Sequence, residues 1–260
     1  MSNPIYEQAL RDAADLVRAL GNSRRGTIEL SAHTAELLQS LSAQSAPPVE
    51  SAVASADAPT VSDDPSALQA LAEEVAACTK CGLCEGRTQT VFSDGSPTAD
   101  LVFVGEAPGE NEDKQGVPFV GRAGALLTDI IVKGMQLQRE DVYICNVIKC
   151  RPPENRDPSL DEKQACEPYL VRQLELVQPK VICALGGHAA KTLLKTDEST
   201  GRLRGRWHFY HGIPLRVTYH PAYLLRSPSE KAKTWADIQE VIKVLNGEIS
   251  PQPSGQDSPA

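Results

Sequence analysis

Apolar positions along this chain follow two periods. Short, largely apolar runs stand at 101–104, 142–147 and 180–185, and a further strand-like stretch at 213–218; each opens into polar or Gly-rich residues. Runs of that length, rich in Val and Ile and closed by turn residues, predict strands buried on both faces. Between them the spacing turns helical, over 123–135, 159–177, 187–194 and 229–245. Strand and helix in alternation predict an α/β fold of three layers: a mainly parallel four-stranded sheet with helices on both faces. Such sheets bind ligands outside the carboxyl ends of their strands. The polar loops after Val104, Val147 and Thr218 therefore converge on one edge.

The flanks read differently. Residues 4–20 predict an amphipathic helix stopped by Gly21 and Asn22, and 28–41 a second one. Residues 43–66 hold 15 Ala, Ser or Pro among 24. Too little apolar area is available there to offset the entropy of ordering, which predicts a disordered linker. The expected organisation is a helical extension over 1–42, a linker over 43–66, a catalytic domain over 67–246 and a disordered tail over 247–260. The first helix is broken by Glu7, Arg11, Asp12 and Asp15, unlike the core of a signal peptide. No stretch of eighteen apolar residues occurs, so no membrane span is expected. Seven cysteines without a secretion signal suit reduced thiols or metal ligands and a cytoplasmic, monomeric protein.

Net charge changes this picture once it is divided. The whole chain carries −8, with 26 Lys and Arg against 34 Asp and Glu. Between Cys78 and Leu245 the counts are 22 and 21, so the acidity resides in the flanks. A near-neutral domain with local basic patches is compatible with a nucleic-acid partner. Two patches stand out, Lys149, Arg151 and Arg156 beside one loop, and Arg202, Arg204 and Arg206 in GRLRGRW. Gly201 and Gly205 give the second patch a backbone that a phosphate can approach closely.

Four cysteines carry the candidate metal chemistry. Cys78 and Cys81 form C-x2-C, and Cys150 and Cys166 follow from distant segments. Four such thiolates suit an iron–sulfur cluster or a structural zinc ion. Cys84 extends the first pair to C-x2-C-x2-C as an additional thiol. Cys145 and Cys183 lie inside apolar strands, where a cysteine serves as a small hydrophobe. The loop VGEAPGENEDKQGVPFVGRAG lacks G-x-G-x-x-G and has Pro108 in its turn, which excludes a dinucleotide fingerprint.

GEAPGENED, PFVGRAG, NVIKCRPPENRDP, the interval from Cys150 to Cys166, and HPAYLLR occur here in one order. Together they resemble the family 4 (iron–sulfur) uracil-DNA glycosylases from Cys78 to about Leu245. The resemblance implies a uracil-DNA glycosylase-like fold and hydrolytic removal of uracil from DNA by a monofunctional enzyme. It assigns Cys78, Cys81, Cys150 and Cys166 to a [4Fe–4S] cluster, with Cys84 outside the ligand set. Asn146 resembles the uracil-reading Asn, Phe119 the aromatic that stacks on the flipped base, and His220 the His that bonds uracil O2. Glu106, Ala107 and Glu112 would line the base. Ala107 stands where a related family holds a catalytic Asp, so another acid must serve; Glu106, Glu112 and Asp113 are the candidates, and Glu106, which matches the family's GE pair, is expected to act with His220. Arg151, Arg202, Arg204 and Arg206 are expected on phosphates, and Leu224 as a wedge in the duplex. Two rivals are a non-catalytic iron–sulfur accessory protein linked to a replication polymerase and a related glycosylase with an extra basic, His-containing loop. The first has no need of Glu106, Phe119, Asn146 and His220 together, and the loop of the second is missing. A protein partner for the N-terminal helix has no sequence signature.

Overall fold

The computed structural model describes residues 65–252. The helices expected at 4–20 and 28–41, the linker before Pro65 and the tail beyond 252 lie outside the described residues. Helix α1 (Pro65–Ala76) opens the described chain, followed by the short α2 (Leu83–Gly86) around Cys84. Strands β1 (Asp94–Gly95) and β2 (Leu101–Gly105) lead into α3 (Glu110–Gln115) and α4 (Arg122–Asp129). A π-helical turn at Ile130–Met135 prolongs α4 before β3 (Tyr143–Asn146). Then come α5 (Leu160–Val177), β4 (Val181–Leu185), α6 (Gly187–Leu194) and α7 (Thr200–Leu203). Strands β5 (Trp207–Tyr210) and β6 (Ile213–Thr218), then α8 (Pro221–Arg226) and α9 (Lys231–Leu245), complete the domain.

The sheet has six strands in the order β1-β3-β2-β4-β6-β5. The four expected strands are β3, β2, β4 and β6, all parallel. The two additions are antiparallel edges, β1 on β3 and β5 on β6. β1 is two residues long and has no apolar run to betray it. β5 and β6 form a hairpin across His211 and Gly212, whose φ values of 47° and 79° are the positive pair that a tight two-residue turn requires.

Period-two alternation divides the sheet's side chains between two cores. Val102, Val104, Tyr143, Cys145, Ile182, Ala184, Leu215 and Val217 face one side, with Leu71 and Val75 of α1 and Leu170 and Leu174 of α5. Leu101, Phe103, Ile144, Val181 and Cys183 face the other, with Leu127 of α4 and Ile238 and Val241 of α9. Both faces are thus covered, which explains the largely apolar runs. α5 begins with a capping box: the Ser159 hydroxyl accepts from Glu162 N, and the Glu162 carboxylate accepts from Ser159 N. No described helix is long and apolar enough to cross a membrane.

Candidate active site and cysteine centre

A cleft of about 900 Å³ opens at the carboxyl edge of the sheet. The loop after β2 lines it with Glu106, Ala107, Glu112 and Phe119, and the segment after β6 with Tyr219, His220 and Tyr223. The loop after β3 adds Asn155, Arg156 and Asp157, and the start of α6 adds His188. The edge predicted from strand order alone is the edge on which these side chains meet.

Register sets the floor of the cleft. Gly105 pairs with Asn146 across β2 and β3. A Cβ on Gly105 would lie 2.2 Å from Asn146 Oδ1 and 2.7 Å from Phe119 Cζ. Only a glycine lets the amide and the ring approach this closely. Asn146 is 2% exposed and sits behind the open cleft. Phe119 has φ of 55°, uncommon for a large aromatic residue. That conformation is held from below: the Glu112 carboxylate accepts hydrogen bonds from Val120 N at 3.1 Å and Gly121 N at 3.3 Å. Glu112, expected at the base itself, is thus engaged with the loop that carries Phe119. Asp113 is engaged too, accepting from the backbone and hydroxyl of Thr88.

His220 caps α8, its Nδ1 accepting a hydrogen bond from Ala222 N at 3.1 Å. The ring proton is therefore on Nε2. Burial, with the charge of Arg226 added, lowers the His220 pKa to about 4, so the imidazole is neutral near pH 7. Its ring lies 5.6 Å from that of Phe119, tilted by 33°. A neutral donor beside an aromatic face suits a flat heterocycle on which negative charge grows.

Glu106 is partly buried, and its Oε1 has no hydrogen-bond partner among the described residues. His188 Nδ1 lies 3.4 Å from that oxygen and Lys163 Nζ 3.9 Å. Burial raises the Glu106 pKa, His188 and Lys163 oppose the rise, and Asp157 adds to it. His188 also lies 3.6 Å from Asp157. The sequence assigns no role to His188, Asp157 or Lys163: Asp157 stands within NVIKCRPPENRDP, whereas His188 and Lys163 fall outside the recognised motifs and α6 reads only as a helical pattern. Glu106, Asp157 and His188 group their ligand atoms within 4.8 Å, but two of the three side chains are solvent-exposed.

The expected DNA contacts divide. Leu224 is 1% exposed and packs inward, whereas Tyr223 and Leu225 beside it are exposed. A wedge from α8 would be one of these two, because one residue along a helix rotates the side chain by about 100°. Arg204 is also withdrawn from solvent. Its guanidinium pairs with the buried Asp237 at 2.6 Å and stacks 4.7 Å over Tyr219. Arg202 and Arg206 are exposed, the latter paired with Glu198. Arg151 donates to Asn155 at 2.8 Å. Arg226, to which the sequence assigns no role, lines the cleft beside His220.

On the far side of β3, Cys78, Cys81, Cys84, Cys150 and Cys166 line one cavity with Arg87, Lys149 and Tyr169. All are free thiols. Arg87 donates to Cys150 Sγ at 3.2 Å and Lys149 N to Cys166 Sγ at 3.3 Å, as donors do around metal-bound thiolates. Burial pushes the Cys166 thiol up to about 11, against the pull of Lys149. The five thiols gathered there have the chemistry of a metal or iron–sulfur site. Cys145 and Cys183 are buried in strands, as expected for apolar packing.

The model of the uracil DNA glycosylase superfamily matches residues 92–243. A type-4 uracil-DNA glycosylase of Saccharolobus solfataricus is 45% identical over 187 residues, covering 69% of this chain and 87% of that protein. One from Thermotoga maritima is 44% identical over 170 residues, covering 64% and 87%. A type-5 uracil-DNA glycosylase of Pyrobaculum aerophilum is 31% identical over 146 residues, covering 50% and 64%. With the fold, the site and this degree of identity in agreement, the chain belongs to the uracil DNA glycosylase superfamily, in its type-4 family.

Proposed function

We propose that this chain removes uracil from DNA by hydrolysis and leaves an abasic site. The observation that carries the reading is His220, held neutral with its proton on Nε2 beside the Phe119 ring, across a cleft from a carboxylate. Uracil flipped from the stack lies against Phe119, and the Asn146 amide offers one donor and one acceptor to its Watson–Crick edge. The Nε2–H of His220 donates to uracil O2. As the glycosidic bond breaks, its electron pair leaves with N1 and the charge spreads to O2, where that hydrogen bond strengthens. Glu106 faces the sugar and its water: the water oxygen bonds to C1′ and the carboxylate takes the proton released. Ionised Glu106 is required for this, and His188 and Lys163 favour that form. No lysine is needed as a nucleophile, which keeps the enzyme monofunctional.

Cys78, Cys81, Cys150 and Cys166 hold a [4Fe–4S] cluster in this reading. The cluster joins the segment after α1 to the loop after β3 and to α5, behind the base pocket. Its role is structural, and no step passes through it. Arg202, Arg206 and Arg226 are the cationic side chains best exposed for phosphates, with Arg151 behind Asn155. Tyr223 or Leu225 fills the gap left by the flipped nucleotide.

The test is incubation with an oligonucleotide containing a single deoxyuridine, followed by alkali. Cleavage at the uracil after alkali, and an intact strand before it, is expected. Cleavage without alkali would assign a lyase step, and an intact strand in both would exclude glycosylase action. A brown protein with broad visible absorbance that disappears in Cys150→Ala is expected for the cluster; colourless protein with stoichiometric zinc would overturn it.

A further inference from the structure

Lys149 is the one fully buried lysine among the described residues, at 0% exposed, and the reaction above makes no use of it. A lysine without solvent is costly unless each proton finds an acceptor, and an apolar side chain of equal volume often serves stability as well. The acceptors here are specific. Lys149 Nζ donates to the backbone carbonyl of Asn146 at 2.6 Å and to Gln173 Oε1 on α5. Gln173 cannot turn away, because its amide nitrogen donates to Tyr143 Oη at 2.8 Å and to the Phe92 carbonyl at 3.2 Å. Tyr143 and Asn146 are the two ends of β3. A closed polar circuit therefore runs from one end of that strand, through α5, to the other.

The circuit also reaches the cysteine centre. Lys149 precedes Cys150, and its own backbone N–H bonds Cys166 Sγ. Three residues thus separate Asn146 from Cys150, and Lys149, the last of them, bonds the Asn146 carbonyl at one end and Cys166 Sγ at the other. Holding the Asn146 carbonyl holds the plane of the peptide that follows, and together with the β2–β3 pairing at Gly105 it restricts the direction of the Asn146 Cα–Cβ bond. An amide must be aimed to within a small angle to tell one pyrimidine edge from another.

We propose that Lys149 is a positioning residue for base recognition: it ties the Asn146 carbonyl to Gln173 and so aims the Asn146 amide. This rests on the reading of Asn146 as the group that reads uracil. It assigns the cysteine-bearing helix a part in specificity as well as in stability.

The test compares binding of the full-length chain to duplexes carrying either 2′-fluoro-2′-deoxyuridine, a non-cleavable probe, or 2′-fluoro-2′-deoxycytidine at one position. Asn146→Ala, Lys149→Met, Gln173→Met and Asn146→Ala/Lys149→Met are measured beside wild type, with visible absorbance and thermal melting of each. Lys149→Met is expected to reduce the preference for the uracil probe roughly tenfold, and Gln173→Met to reduce it in the same direction. The double variant should lose no more than Asn146→Ala alone, since the two residues act as one unit. Absorbance in Lys149→Met and Gln173→Met should match wild type. Full preference in Lys149→Met, or losses that multiply in the double variant, would overturn the proposal. Bleaching of both single variants in step with lost preference would also overturn it, leaving Lys149 a support for the metal centre. If Lys149→Met does not fold, Gln173→Met decides by the same comparison. An Asn146→Ala variant with unaltered preference would instead reject the reading of Asn146, a separately visible outcome.

Discussion

At the residue scale, the site depends on close approach. Gly105 was legible only as one letter of a motif, because the need for a glycine comes from Asn146 and Phe119, which are 41 and 14 residues away. The structure supplies the reason, a Cβ position already filled by their atoms. Gly105→Ala should therefore reduce single-turnover excision by at least roughly a hundredfold while leaving the melting temperature within a few degrees, since Asn146 or Phe119 must move from its place. Wild-type activity in this variant would mean that neither side chain is needed where it stands. His220 and Glu106 are expected to act on the chemical step. His220→Ala should slow excision roughly ten- to a thousandfold with little change in affinity for a non-cleavable uracil probe. A loss of affinity equal to the loss of rate would make its role one of positioning.

At the element scale, the parallel strands were readable because burial on both faces leaves largely apolar runs. β1 and β5 were not, since edge strands this short alternate or carry no signal. Basic residues in GRLRGRW were read as a phosphate patch, and here sequence proximity misled. Arg202 and Arg206 point outward, but Arg204 turns in to Asp237 on α9, a partner 33 residues away that no local pattern announces. Asp237 is buried and also faces Arg216 at 3.4 Å. Removing Arg204 would leave that carboxylate with Arg216 alone, at a cost of up to about 3–5 kcal/mol, the figure for a buried charge left unpaired. Arg204→Ala should thus lower the unfolding free energy on that scale and leave the salt dependence of DNA binding close to wild type. A shallower salt slope with unaltered stability would restore Arg204 to the phosphate contacts. The analogous error for Leu224 has the same physical origin: a motif places a helix, and the helix decides which side chain faces out.

At the scale of the whole molecule, α1 belongs to the domain. Leu71 and Val75, both within the domain expected over 67–246, are buried against α5, beside the cysteine centre. Deletion of residues 1–64 should leave excision of uracil from naked DNA intact, whereas deletion of 1–76 should destabilise the fold and impair retention of iron. Equal activity in both would detach α1 from the domain.

Acid stability offers a test of how the site is built into the fold. Burial holds His220 at a pKa of about 4, below its ordinary value of 6.5. The unfolded chain therefore binds a proton at this position between those values and the native chain does not. Stability must fall as the pH drops through that window, by about 3 kcal/mol for such a shift. Glu162 works in a lower window. Its hydrogen bonds with Arg156 hold its pKa at about 2 against an ordinary 4.5, so its contribution is complete above 4.5 and disappears as the pH falls toward 2. Urea unfolding at a series of pH values should show two descents, the first between about 6.5 and 4 and the second below it. His220→Gln, which has no titrating ring, should flatten the first and leave the second. Arg156→Gln should weaken the second and leave the first. If His220→Gln retained the full first descent, the ring would be solvated in the native state, and the neutral imidazole proposed to assist uracil departure would lose its physical basis.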